Sequence, residues 1–177
     1  MTESIDILED AFTRIRDTVR RATGGLGPDQ LGHRVGLEAN TIAWLVWHLT
    51  RVQDDHVSEL AGTEQVWESG GWRERFGLPF APDATGYGQT AAEVTQVAGP
   101  GVTADALIGY HEAVYTATVG FLRSLDGSAA AAELERVVDE SWTPPVTMAV
   151  RLVSVISDDL QHAGQAAFVR GLLPAED

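Results

Sequence analysis

Residues 154–173 read SVISDDLQHAGQAAFVRGLL, an apolar segment interrupted by Asp158, Asp159 and, within one turn, His162. On a wheel of 3.6 residues per turn, Met148, Leu152, Val155, His162, Ala166 and Val169 fall on one stripe, with Asp159 within it and Asp158 at its edge. Such a stripe predicts a helix whose polar groups turn inward. His162 then points into the protein, and a carboxylate three or four residues before it lies on the same side. Either spacing lets a carboxylate and an imidazole chelate one ion, so periodicity leaves both Asp158 and Asp159 open.

An inward-facing imidazole needs partners from another helix. The segment ANTIAWLVWHLTRVQDDHVSELAG predicts a helix starting after Asn40, taken as its N-cap, and running to Gly62. Its first half is apolar almost all round, which makes it central. Trp44, His48, Val52, Asp55 and Glu59 share a face, and His48 lies in the most apolar part of the chain, between Trp47 and Leu49. His56 is eight residues further on, a rise of about 12 Å and a rotation of about 80°. At most one of the two joins His162 at a single ion. His48 has the more apolar surroundings, whereas His56 follows the polar run RVQDD and is expected to face water. His111 reads as a hydrogen-bonded core residue and His33, in GPDQLGHRVG, as loop.

Two more helices complete the set. Ile7, Leu8, Phe12, Ile15 and Val19 recur at helical spacing over residues 3–23, and Gly24-Gly25 ends the pattern. A third helix follows Thr103, with Leu107, Tyr110, Val114, Phe121 and Leu125 on one face. The fourth, carrying the opening stretch, is expected to begin at Pro144-Pro145, which suits a first turn, and to end near Gly171. Four long helices with little alternating pattern predict an all-α fold, an antiparallel four-helix bundle, with residues 1–177 as a single domain. Between the second and third helices runs a connection of about 40 residues, dense in Gly, Pro and aromatics. Trp67, Trp72, Phe76, Phe80 and Tyr87 are poor material for disorder, and the segment is expected to be an ordered cap walling a pocket, or else to pack down on the bundle. Residues 133–142 leave a short helix and an extended piece equally open.

Composition narrows the chemistry. Twelve Lys+Arg against 26 Asp+Glu give a net charge of −14, so nucleic acid and anionic membrane surfaces are not expected partners. The chain has no cysteine, which restricts a metal site to His, carboxylate and water and requires any thiol chemistry to use an outside thiol. MTESIDILED lacks the basic and apolar regions of a secretory signal, and a cytoplasmic protein is expected.

NTIAWLVWHLTRV together with SWTPPVTMAVRLVSVISDDLQHAGQAAFVRGLL resembles the DinB-like metalloenzyme superfamily. More narrowly, the chain is similar to the actinobacterial branch that includes the mycothiol-dependent maleylpyruvate isomerases. The likeness covers nearly the whole chain, including WRERFGL and TGYG in the long connection. It implies a four-helix bundle holding one divalent metal through a His of the second helix and two residues four apart on the last. By position these are His48, Asp158 and His162, which prefers Asp158 and leaves Asp159 as the fallback. Asp158 is one methylene shorter than the Glu usual in this branch. Gln165 stands where many relatives have a second His and is not expected to be a ligand. Arg170 matches a frequent arginine that either binds a cosubstrate or pairs with an acid. Dimerisation is implied only at the level of the family.

Three protein ligands leave a coordination position open, the arrangement of catalytic zinc. Zn²⁺ suits imidazole and carboxylate best, with Ni²⁺, Mn²⁺ or Fe²⁺ as alternatives. The expected activity is that of a metal-dependent thiol S-transferase or thiol-dependent isomerase, using mycothiol or a similar low-molecular-weight thiol on a small electrophile. Its competitors are a metal-dependent hydrolase and a non-catalytic ligand-binding or stress protein with a decayed metal site.

Overall fold

The computed structural model describes residues 4–125 and 130–174. In chain order the elements are α1 (Ser4–Thr23), α2 (Pro28–Leu31), α3 (Ile42–Ala61), α4 (Val66–Ser69), α5 (Trp72–Phe76), α6 (Ala91–Val94), α7 (Ala104–Ser124), α8 (Ala130–Glu135), β1 (Val137–Asp139), β2 (Val146–Thr147) and α9 (Met148–Gly171). The fold is mostly helical, as the sequence predicts, with a small antiparallel β1–β2 pair that the all-α expectation did not include. The helix-or-strand question at 133–142 is answered by both, since α8 ends at Glu135 and β1 follows.

The long helices form because their apolar residues repeat along one side, and their starts are fixed by side-chain caps. Thr41, Thr103 and Thr147 each accept a hydrogen bond from the backbone N–H three residues on, those of Trp44, Ala106 and Val150. This corrects two expected starts. The N-cap of α3 is Thr41 rather than Asn40, and α9 begins at Met148 rather than at Pro144-Pro145. The two prolines lie between β1 and β2, after the cis Thr143–Pro144 bond. Proline lacks an N–H and so suits the open end of a hairpin as well as a first helical turn.

α1 and α3 each pack against both α7 and α9. The core lies between them, with Phe12, Ile15, Ile42, Leu45, Leu49, Leu107, Leu122, Met148 and Leu152 sealed from solvent. From Ile42 through Arg51 every residue of α3 is buried, in line with its predicted central position. Phe121, placed on the inner face of the third helix by its spacing, is only partly buried, and Leu122 occupies the core.

The connection between α3 and α7 is tied down at both ends of a polar network. Asp54 on α3 accepts from the N–H groups of Val66 at 2.9 Å and Trp67 at 2.7 Å, capping α4, and from Tyr110 Oη at 2.8 Å. Arg51, sealed from solvent, donates to Ala84 O at 3.1 Å, Gln65 Oε1 at 2.8 Å and Tyr110 Oη at 3.2 Å. Burial raises the Asp54 carboxyl, while Tyr110, the two amides and Arg51 pull it back. Trp67, Trp72 and Phe76 pack around the Tyr110 ring, with centroids 5.1, 5.7 and 5.9 Å away. Most of the aromatic material therefore packs down on α7, and only Thr85 and Tyr87 of this segment reach the cleft described next.

Candidate metal centre

α3 and α9 lie side by side, and they bring His48, Asp158 and His162 into one cluster in which one ligand atom from each lies within 4.8 Å of the others. The imidazole rings of His48 and His162 meet edge to face, centroids 4.8 Å apart. His162 Nε2 and Asp158 Oδ1 are separated by 3.5 Å. That is long for a charge-assisted hydrogen bond, and close to the roughly 3.3 Å between two donors sharing a tetrahedral ion with bonds of about 2.0–2.1 Å.

Each imidazole is held through Nδ1. His48 Nδ1 donates to the carbonyl of Thr85 at 2.6 Å, and because a carbonyl only accepts, Nε2 keeps the lone pair. Its ring stacks on Trp44 at 4.5 Å, and Trp44 Nε1 is held by Gln89 Oε1 at 2.7 Å. The approach of Thr85 depends on Gly86. Its φ is +96°, and a Cβ there would lie 2.8 Å from His48 Nδ1 and 3.0 Å from the Trp47 ring. His162 Nδ1 lies 3.0 Å from Gln165 Oε1, again an acceptor, which leaves its Nε2 facing Asp158. Orientation of a ligating imidazole by a carbonyl on the far nitrogen is the usual supporting arrangement at metal sites.

The carboxylates on α9 differ sharply. Asp158 Oδ2 is buried and has no hydrogen-bond partner among the described residues. Burial works to raise the Asp158 carboxyl, but the hydrogen bond and charge of His162, with His48 and His56 nearby, hold it below the usual range. It is an ionised group with one oxygen lacking a partner, as a cation ligand would be. Asp159 is sealed from solvent with both oxygens unpartnered, and burial together with Asp158 pushes its carboxyl well up. It belongs to the core stripe and lies outside the cluster. Burial lowers His48. In His162 burial also acts downward, and the bonds to Asp158 and Gln165 outweigh it to raise the ring. The donor set and the unpartnered oxygen fit a divalent metal.

A cleft of about 400 Å³ opens beside the cluster. It runs from His48 and Asp158 past Val52 and Val155 to Asp55 and His56. His56, expected to face water, is half-buried because Arg151 of α9 closes over it and donates to its Nδ1 at 3.1 Å. His111 is a buried core residue, as expected, its Nδ1 3.1 Å from Thr50 Oγ1. Burial, with the positive charge of Arg16, lowers it to about 3. His33 lies outside the helices. Arg170 donates to Gly24 O at 2.8 Å, so it ties α9 to the end of α1.

A family model described as mycothiol-S-transferase matches residues 7–175. The chain belongs to the mycothiol-S-transferase family, a DinB-like family. Among solved structures, the chain is similar to a conserved protein from Enterococcus faecalis, at 26% sequence identity and a TM-score of 0.86, over 97% of this chain and 98% of that one. No curated protein matches. The mycothiol-S-transferase assignment identifies a thiol transferase at the level of the family. One contributor to the cluster was not singled out from sequence, the Thr85 carbonyl, and Gln165, noted there only as a non-ligand, turns out to hold His162 Nδ1. Gly86 of TGYG was the available sign of the Thr85 contact, since glycine is used where the backbone takes a positive φ or approaches another group closely.

Proposed function

We propose that this protein is a divalent-metal-dependent thiol S-transferase, with His48, Asp158 and His162 as metal ligands and zinc as the metal. The observation that carries this reading is the unpartnered, buried Asp158 Oδ2 beside two imidazoles whose Nδ1 atoms are already committed to carbonyl oxygens. A divalent cation held there supplies a Lewis acid beside which a thiol ionises near neutral pH. The chain's own residues do the rest. Thr85 and Gln165 fix both rings with Nε2 toward the ligand space. Asp158 is ionised at neutral pH, while Val52 and Val155 give the adjoining cleft apolar walls that limit water. With no cysteine in the chain, no protein thiol competes for the metal or for the electrophile. The same reading takes residues 1–177 as one DinB-like domain, its long helices as an antiparallel bundle, its location as the cytoplasm and its assembly as a homodimer. Mycothiol or a similar small thiol is the cosubstrate, and a small electrophile is the acceptor.

Elemental analysis of tag-free protein tests the ligand set. Wild type and Asp159→Ala are expected to retain stoichiometric metal, and His48→Ala, Asp158→Ala and His162→Ala to lose it. Retention in Asp158→Ala with loss in Asp159→Ala would reverse the carboxylate assignment, and retention in His48→Ala would remove the two-helix site. An electrophilic dye should be labelled only when thiol is added. Turnover of an ester or amide without thiol would favour a hydrolase instead.

A further inference from the structure

The cleft continues beyond the metal ligands. Along α3, His48, Val52 and His56 follow one another at four-residue spacing, so His56 stands about 12 Å from His48 along the helix axis. On α9, Asp158, Val155 and Arg151 run beside them in the opposite chain direction. The far end is built from ordered polar groups. Arg151 is mostly buried, and Nη1 donates to His56 Nδ1 at 3.1 Å and to Glu59 Oε2 at 2.9 Å, while Nη2 donates to Asp139 Oδ2 at 3.4 Å. A guanidinium only donates, so His56 Nδ1 must accept. Nε2 then carries the proton, and the ring serves as a donor to whatever occupies the cleft. Burial, followed by the Arg151 charge, keeps this ring below the ordinary histidine value, hence neutral at neutral pH.

Beside it, Asp55 Oδ1 accepts from Gln65 Nε2 at 2.7 Å, which leaves Oδ2 as an acceptor. His56 and Asp55, on consecutive helix positions, line the same cleft as one donor and one acceptor, which together match the hydroxyls of a hydroxyl-bearing molecule, since a hydroxyl both accepts and donates. Charge makes the choice sharper. The positive charge of Arg151 is already met by Glu59 and Asp139, and Asp55 and Asp158 add further negative charge to the same cleft. An incoming carboxylate is repelled there.

We infer that His56 and Asp55 form a hydroxyl-binding subsite, which receives the neutral, hydroxyl-bearing body of the molecule whose sulfur lies at the His48–Asp158–His162 end. This rests on the thiol reading above and adds to it the residues that select the thiol's body. His56 and Asp55 would act by binding and orienting the cosubstrate, about two helical turns from the reacting sulfur.

The experiment uses cobalt-substituted protein and three thiols: 1-thio-β-D-glucose, mercaptosuccinate and ethanethiol. Dissociation constants are read from the sulfur-to-cobalt absorption band and repeated by calorimetry. Thioglucose is expected to bind about tenfold or more tightly than the other two, the size of two modest hydrogen bonds. In His56→Phe and in Asp55→Asn that advantage should fall to less than about threefold, with ethanethiol affinity, cobalt content and the absorption band unchanged. The amide oxygen left by Asp55→Asn still accepts from Gln65, so the second variant decides the matter if His56→Phe fails to fold. A normal band with equal affinity for thioglucose and mercaptosuccinate, or a thioglucose advantage that survives both substitutions, overturns the subsite and leaves the thiol reading standing. No band with any thiol in cobalt-loaded protein overturns both.

Discussion

Two buried polar clusters project from α3, and they differ in whether their carboxylate is fully hydrogen-bonded. Around Asp54, two backbone amides, the Tyr110 hydroxyl and the Arg51 charge converge on one carboxylate, and Arg51 in turn reaches Gln65, Tyr110 and Ala84. About one turn before Arg51, His48 joins Asp158 and His162 in a cluster whose far nitrogens are satisfied but whose Asp158 Oδ2 has no partner among the described residues. The first cluster spends its polar groups on holding the α3–α7 connection in place. The second withholds them, and a group withheld inside a protein is costly unless something else supplies the partner. A fully bonded carboxylate marks the scaffold here, even with Arg51 Nη2 unpartnered among the described residues, and a carboxylate oxygen left open beside two imidazoles is what singles out the candidate centre.

The largest way to break this contrast is Asp54→Ala. It leaves Arg51 buried without its carboxylate and should lower the unfolding free energy by about 3–5 kcal/mol. The matching cut at the open cluster, His162→Ala in metal-free protein, should cost no more than about 1 kcal/mol. Urea denaturation of both variants checks the pair, and equal losses would erase the distinction. A smaller test sharpens the open side. Gln165→Leu removes the acceptor for His162 Nδ1 and should weaken metal affinity about 10–100-fold, measured by chelator competition, with little change in metal-free stability. Unchanged affinity would make Gln165 a bystander.

His111 supplies the smallest effect and a useful control. Its Nδ1 donates to Thr50 Oγ1, and its Nε2 is buried without a partner among the described residues. Its environment is the Thr50 hydroxyl and the bundle core, and it is not part of the His48–Asp158–His162 cluster, so an unpartnered nitrogen alone does not make a site. Burial holds its folded-state value at about 3, below the 6.5 of a free ring. The folded protein keeps the ring neutral while the unfolded chain takes up a proton below about pH 6.5. Its contribution to stability is therefore complete above that pH and declines as pH falls toward 3, by about 1 kcal/mol per unit. Comparing denaturation at pH 6.5 and 5.5 in wild type and His111→Leu should show the flatter dependence in the variant. Parallel curves would mean that another group carries the slope.

Much of this was legible in the chain, and the failures share a cause. The long helices show in the spacing of their apolar residues, because burial on one side demands it. The stripe on α9 could not separate Asp158 from Asp159, since both lie within reach of an inward face. Only the family likeness preferred Asp158, and in the structure the two fall on opposite sides of the boundary between cleft and core. His56 was misplaced because RVQDD reads as a solvated face, and the residue that covers it, Arg151, comes from a helix nearly a hundred positions away. Pro144-Pro145 obeys local rules equally well at a helix start or in a turn, and the cap at Thr147 decided between them. In each case a local signal was overruled, or left undecided, by what packs against it.

The segment around Gly86 joins these two clusters in a way that neither alone would reveal. Ala84 gives its carbonyl to Arg51 and Thr85 gives the next one to His48, so adjacent peptide groups answer to the scaffold and to the site. Ligand space and loop are thereby thermodynamically linked: whatever tightens His48 also tightens residues 84–86, and whatever frays that loop releases the histidine. On the proposed metal reading, loading of the centre and ordering of its wall would be two readings of one equilibrium.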